Sequence, residues 1–147
     1  MYKELGTILI TGRTLTGKTC YIQRYLNEIL SEDDNKIFII DLKMVELHQY
    51  KNKENVTYLD TLDEFDKKIY DQVMKDKKTK KYIFIDEYAE VKICEDVHKK
   101  IKKLLKNKEE LNLVIVCTSQ LKISFCKGMR NNANTEIHLN KRHYFNK

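Results

Sequence analysis

Thr7-Ile8-Leu9-Ile10-Thr11 runs directly into Gly12-Arg13-Thr14-Leu15-Thr16-Gly17-Lys18-Thr19, and this stretch decides the fold. Its first half is short, aliphatic and β-branched, the composition of a strand buried on both faces. Gly12 and Gly17 interrupt it. From Lys18 onward Ile22, Leu26, Ile29 and Leu30 recur at i, i+4, i+7 and i+8, one face of a helix. The eight residues between strand and helix match G-x-x-x-x-G-K-[ST], and each position has a physical task. The glycines let the backbone curl so that successive N–H groups surround phosphate oxygens, at the positive end of the following helix. Lys18 would reach the β- and γ-phosphates, and the Thr19 hydroxyl would join an Mg2+ shell. The expected nucleotide-contacting set is therefore Gly12, Arg13, Thr14, Leu15, Thr16, Gly17, Lys18, Thr19 and Cys20, with Lys18 also catalytic.

Outward from this loop, apolar runs and helical patterns alternate. Ile37-Phe38-Ile39-Ile40 reads as a second strand ending at Asp41, and residues 42–59 read as irregular. Thr61-Leu62-Asp63-Glu64 has the form of a capping box opening a helix with Leu62, Phe65, Ile69 and Val73 inward. Tyr82-Ile83-Phe84-Ile85 is a third strand; Val97, Ile101, Leu104 and Leu105 mark another amphipathic helix. A fourth strand begins at Leu113 and ends at Cys117, and Ile137-His138-Leu139 closes a fifth. Strands separated by helices of ten or more residues imply crossovers and a mainly parallel sheet. The expected class is three-layer α/β, in one P-loop domain over residues 1–147.

Asp86-Glu87 follows the third strand directly. At the carboxyl end of a parallel strand, Asp86 can hold Mg2+ directly or through water. Glu87 is then placed to orient and deprotonate an attacking water. Thr118-Ser119-Gln120 ends the fourth strand, and Gln120 is expected to touch the γ-phosphate or the lytic water. The expected catalytic set is Lys18, Glu87 and Gln120, the metal ligands Thr19 and Asp86, the cofactors ATP and Mg2+.

The chain resembles the FtsK/SpoIIIE-type DNA translocases of the HerA–FtsK class. Four stretches carry the resemblance, in the family's order: the P-loop; Ile40-Asp41-Leu42-Lys43-Met44-Val45-Glu46-Leu47, with Leu42 in place of a proline; Ile83-Phe84-Ile85-Asp86-Glu87-Tyr88-Ala89-Glu90; and Cys117-Thr118-Ser119-Gln120 leading to Gly128-Met129-Arg130-Asn131-Asn132 and Thr135-Glu136-Ile137. The resemblance implies a RecA-like domain, with strands in the order 5-1-4-3-2, that hydrolyses ATP and acts on double-stranded DNA in translocation, transfer or packaging. It also implies closure of the site between subunits of a homo-oligomeric ring, or help from a partner protein. Glu136 stands where the family carries an arginine, so a compensating cation must come from Arg130 or from another chain. The stripped organisation resembles a phage or plasmid version of the motor. The rival reading is a nucleotide-dependent switch that recruits a replication or transfer partner without sustained turnover. A small-molecule kinase would need an arginine-rich lid, and the four arginines (Arg13, Arg24, Arg130, Arg142) are scattered.

Composition fits this reading. The 147 residues carry 28 Lys+Arg against 22 Asp+Glu, a net charge of +6, compatible with a polyanionic partner. Basic runs occur at Lys75, Lys77, Lys78, Lys80 and Lys81 and along Lys99, Lys100, Lys102, Lys103, Lys106 and Lys108, and the segment 140–147 mixes basic and aromatic residues. No apolar run is long enough to span a bilayer. The cysteines Cys20, Cys94, Cys117 and Cys126 show no CxxC pair, which suits a cytoplasmic setting. Cys94 and His98 have the i, i+4 spacing of half a metal site, with no second pair to complete it.

Overall fold

The computed structural model describes residues 2–13, 17–32, 34–44 and 47–139. Six strands form one sheet: β1 (Ile8–Thr11), β2 (Asn35–Ile40), β3 (Val56–Leu59), β4 (Lys80–Ile85), β5 (Leu113–Ser119) and β6 (Thr135–His138). Their order is β3-β2-β4-β5-β1-β6, and every pairing is parallel. The five strands expected from sequence keep their expected order; the sixth is added at the edge beside β2.

Five α-helices join the strands: α1 (Lys18–Leu30), α2 (Asp71–Lys75), α3 (Tyr88–Lys92), α4 (Glu95–Lys106) and α5 (Lys127–Asn131). Strand side chains alternate between two faces, so each apolar run feeds two cores. On one face Ile8, Ile10, Ile37, Ile39, Tyr82, Phe84, Val114 and Val116 meet Ile22, Tyr25, Leu26 and Ile29 of α1. On the other, Leu9, Phe38, Ile40, Ile83, Ile85, Ile115 and Cys117 meet apolar residues of α2 to α5, with Ile101, Leu104 and Leu105 of α4 at the centre. Each fully buried aliphatic side chain contributes about 1.5–3 kcal/mol, which fixes both helix layers against the sheet. The result is the three-layer α/β arrangement.

Two local expectations are corrected. The stretch 42–59 is not irregular throughout: it holds a 3-10 turn, His48–Tyr50, and the strand β3. An edge strand that is half exposed lacks the continuous apolar run that marked the others. The helix expected to open at Thr61 starts later, with a π-helical turn over Asp66–Tyr70 that continues into α2. Thr61 Oγ1 accepts the N–H of Asp63 at 3.4 Å, two residues on, so its hydroxyl shapes a turn instead of capping a helix. Phe65, Ile69 and Val73 are nevertheless buried, as their spacing required.

Candidate functional site

The parallel sheet brings the ends of β1, β2, β4 and β5 to one rim, and the candidate residues gather there. Gly12 leaves β1 with its N–H donating to the Ser119 carbonyl of β5 at 3.1 Å. Gly17 precedes α1 with φ of 96°, a left-handed backbone that glycine adopts without steric cost. Lys18 opens the helix, and its ammonium donates to the Gly12 carbonyl, closing the loop on itself. Thr19 is half-buried and Cys20 exposed in the first turn, and Arg13 is exposed. Thr14, Leu15 and Thr16 lie outside the described residues.

Burial lowers the pKa of Lys18, while the carboxylates of Glu87 and Asp86 act the other way. Lys43, in the loop after β2, adds like-charge repulsion. Both expected acids, and the loop that follows β2, are therefore within electrostatic reach of the P-loop lysine.

Asp86 leaves β4 with its N–H donating to the Ile40 carbonyl at 3.1 Å. Burial raises the pKa of its carboxyl; the Thr118 hydroxyl, donating to Oδ1 at 2.8 Å, opposes that shift, and Asp41 and Glu87 reinforce it. Glu87 is buried and occupies the left-handed region at φ 61°, ψ 77°, between β4 and α3. Such backbone is costly for a residue with a Cβ and concentrates at functional sites. Three bonds hold it. Its N–H donates to Thr118 Oγ1 at 3.0 Å, and its Oε2 accepts from Ser119 Oγ at 3.0 Å and from the Gln120 N–H at 3.4 Å. Gln120 is exposed and meets the base through its backbone amide.

Sequence reasoning thus found the right strand end but not its working atoms, the hydroxyls of Thr118 and Ser119. It also passed over Asp41 as a site residue. Asp41 is 1% exposed; its Oδ2 accepts from the Tyr58 hydroxyl at 2.8 Å and the Leu47 N–H at 3.3 Å. Its Oδ1 is buried with no hydrogen-bond partner among the described residues. A buried carboxylate oxygen left unpaired beside a second acid is what a cation-binding rim requires and a folding core avoids. An aspartate, a threonine hydroxyl and phosphate oxygens form the hard-oxygen shell that suits Mg2+, so the residues present fit the ion.

Other expected groups are engaged elsewhere. Arg130 donates to Glu136 at 3.2 Å, and His138 lies 3.7 Å from the same carboxylate. His98 bonds the Tyr88 hydroxyl at 2.6 Å, and no group of three His, Cys, Asp or Glu able to hold a metal occurs among the described residues. Lys81 is fully buried, its ammonium donating to the Asp76 and Thr79 carbonyls, so of the basic run at 75–81 it is not available to a polyanion. Lys100 pairs with Asp66 at 2.7 Å and Asp96 at 2.9 Å. Residues 140–147 lie outside the described set. No helix among the described residues is long and apolar enough to cross a membrane.

Sheet order, glycine loop, and acids at the neighbouring strand ends define a RecA-like P-loop NTPase. Residues 5–137 match the AAA domain family, and the chain belongs to it; P-loop ATPases bind nucleotide, usually with Mg2+. No curated protein sequence matches. Among solved structures, the chain is similar to EccC (ATPases 2 and 3) of Thermomonospora curvata in complex with a signal sequence peptide. That match has TM-score 0.78 and 12% identity, over 92% of this chain and 31% of EccC. It is similar to the pCW3 conjugation coupling protein TcpA with ATPγS, at TM-score 0.72 and 13% identity, over 87% of this chain and 47% of TcpA. The genome packaging NTPase B204 of Sulfolobus turreted icosahedral virus 2, in complex with AMP, aligns at TM-score 0.62 and 18% identity, over 87% of this chain and 71% of B204. The chain spans about a third of the EccC protein. At these identities the likeness is one of fold.

Proposed function

We propose that the chain is a single FtsK/SpoIIIE-like ATPase domain that binds Mg·ATP and couples its hydrolysis to movement on double-stranded DNA. The observation that carries this reading is the gathering of Asp86 and Glu87 within electrostatic reach of Lys18, with β5 running between β4 and the P-loop strand. In this reading the curled loop from Gly12 to Cys20, including Thr14, Leu15 and Thr16, holds the phosphates by backbone N–H groups, and Lys18 leaves the Gly12 carbonyl to neutralise them. Thr19 and Asp86 supply oxygens to the magnesium ion, whose chemistry when bound is to screen the phosphate charge. Glu87 accepts the proton of the attacking water, and Gln120, beside it, orients that water or the γ-phosphate. Arg130 is spent on Glu136, so a cation for the transition state comes from a neighbouring subunit or a partner protein. A conjugation coupling protein and a genome packaging NTPase among the similar folds agree with a DNA substrate, and EccC with its signal sequence peptide agrees with a peptide one. The DNA reading therefore rests on the resemblance of residues 40–47 and 83–90 to the translocases.

The hold of Ser119 and Gln120 on the Glu87 carboxylate favours a second reading, a nucleotide-dependent switch that turns over little. ATP turnover measured with and without long double-stranded DNA decides between them. Stimulation by DNA is expected for the motor; tight Mg·ATP binding with negligible turnover in both conditions would establish the switch.

A further inference from the structure

Ile85 and Cys117 are paired across β4 and β5, so Thr118 stands beside Asp86 where both strands end. Thr118 is fully buried. Its hydroxyl makes two bonds at once, accepting from the Glu87 N–H at 3.0 Å and donating to Asp86 Oδ1 at 2.8 Å. The direction of this chain is fixed by chemistry. An amide N–H only donates and an ionised carboxylate only accepts, so the single hydroxyl hydrogen must face Asp86. Two bonds of the same sense through one hydroxyl polarise each other.

The two groups so joined are the ones with separate chemical tasks. Asp86 is the expected oxygen donor for the metal; Glu87 is the expected base, on a backbone conformation that non-glycine residues avoid. Without the bond to its N–H, the Glu87 peptide is free to rotate out of the left-handed region. Without the donated hydrogen, Asp86 loses the group that opposes its burial.

We propose that Thr118 is the positioning residue that sets the orientation of Asp86 and the backbone of Glu87 together, one hydroxyl registering the metal's carboxylate against the base. The proposal rests on the ATPase reading above. Both bonds of the Thr118 hydroxyl go to Glu87 and Asp86, so it acts through these two neighbours.

The test uses the full chain with Thr118→Val, which keeps the shape and removes the hydroxyl, and Thr118→Ser, which keeps the hydroxyl. Hydrogen exchange of the Glu87 amide in the nucleotide-free protein reads one bond directly; Mg2+ titrations of ATP turnover read the other. Hydrogen bonds to a charged group account for roughly 10–100-fold in an equilibrium. Thr118→Val is therefore expected to speed exchange at Glu87 about tenfold or more and to raise the half-saturating Mg2+ by about 10–100-fold. Its kcat should fall with little change in the KM for ATP, while Thr118→Ser stays close to the parental protein. A merely structural role would lower the melting temperature and leave the Mg2+ requirement where it was. Should Thr118→Val not fold, Thr118→Cys, whose thiol bonds weakly, carries the same expectations. A folded variant without the hydroxyl but with parental exchange and parental Mg2+ requirement overturns the proposal, as does Thr118→Ser failing as badly as Thr118→Val. A parental protein that neither binds nor hydrolyses Mg·ATP overturns instead the ATPase reading, and the two acids lose their roles with it.

Discussion

Six described residues adopt left-handed backbone, and they divide by the end of the sheet they serve. Before the strands begin, at the amino end, they are Gly6, Asp34 and Asn112, residue types that tolerate the conformation. After the strands finish, at the carboxyl end, they are Gly17, Met44 and Glu87, and two of these three do not. Polar groups divide the same way. At the amino end Thr7 donates its N–H to Asn134 Oδ1 at 2.9 Å and accepts the Ile115 N–H on its hydroxyl at 3.1 Å. Lys81, fully buried, gives its ammonium to two carbonyls. At the carboxyl end Asp41 Oδ1 lacks a partner among the described residues, and burial raises the pKa of Asp86. One end of the sheet is arranged to fold; the other holds unfavourable charge and backbone in place, where the proposed chemistry needs them.

Substitutions at the two ends should therefore fail in different ways. The largest effect is expected from Glu87→Gln. The amide is nearly isosteric but cannot take the water's proton, so turnover should fall roughly 10²–10⁴-fold while nucleotide binding persists. Steady-state ATPase assays beside equilibrium binding check this, and parental turnover would remove Glu87 from the base role. Next is Lys18→Ala, which deletes the P-loop lysine's charge. Affinity for Mg·ATP should drop by roughly 10–100-fold, the worth of charged hydrogen bonds, with the melting temperature held; calorimetry showing unchanged affinity would refute the P-loop assignment.

Gly6→Ala attacks the amino end. The new Cβ would stand 2.6 Å from Asn134 Oδ1 on a backbone at φ 69°, so the variant should lose about 1–2 kcal/mol from the left-handed strain alone. Denaturant melts should show this loss, with nucleotide affinity of the folded protein unaltered. The smallest effect is expected from Asp86→Asn, and its sign is the sharpest statement of the contrast. A carboxyl whose pKa is raised by folding stabilises the native state when protonated, and that contribution vanishes as pH rises through the raised value. At neutral pH the charge of Asp86 thus opposes folding. Asp86→Asn should melt slightly higher than the parental protein at pH 7, with the advantage shrinking as pH is lowered. A lower melting temperature at pH 7 would show that the carboxyl end is not strained by this charge.

How much of this was readable beforehand follows the same division. Strands buried on both faces announce themselves as apolar runs, and Ile22, Leu26 and Ile29 mark a helix packed on one side. Burial is a one-dimensional signal in such cases, so β1, β2, β4 and β5 were accessible from it, whereas the strand order was implied only by the resemblance to the translocases. The loop from Gly12 to Thr19 and the pair Asp86-Glu87 were legible because phosphate and metal chemistry demand particular residue types at particular spacings. β3 was not, since Val56–Leu59 is short and partly buried, with Thr57 and Tyr58 interrupting any aliphatic run. Neither was the turn at Thr61, where a hydroxyl two residues from one N–H competes with helix capping. The roles of Thr118, Ser119 and Asp41 exist only across strands. No local pattern says that a threonine at position 118 will bridge two residues at 86 and 87.

β1 is wedged between β5 and β6, and Thr7 at its entrance meets Asn134, 127 positions later. Within this domain β1 is therefore made before both of its neighbours. Until β5 and β6 exist, the edge of β1 is unpaired and the glycine loop that follows lacks the bond from Gly12 to Ser119. Loop closure over such separations is entropically slow, and contacts of this range delay folding. During synthesis the half formed by β2, β3 and β4 can assemble early, while the N-terminal segment waits as an exposed apolar strand, a natural client for a chaperone. Nucleotide affinity should accordingly be the last property this domain acquires as it is made, even though its glycine loop comes before five of its six described strands.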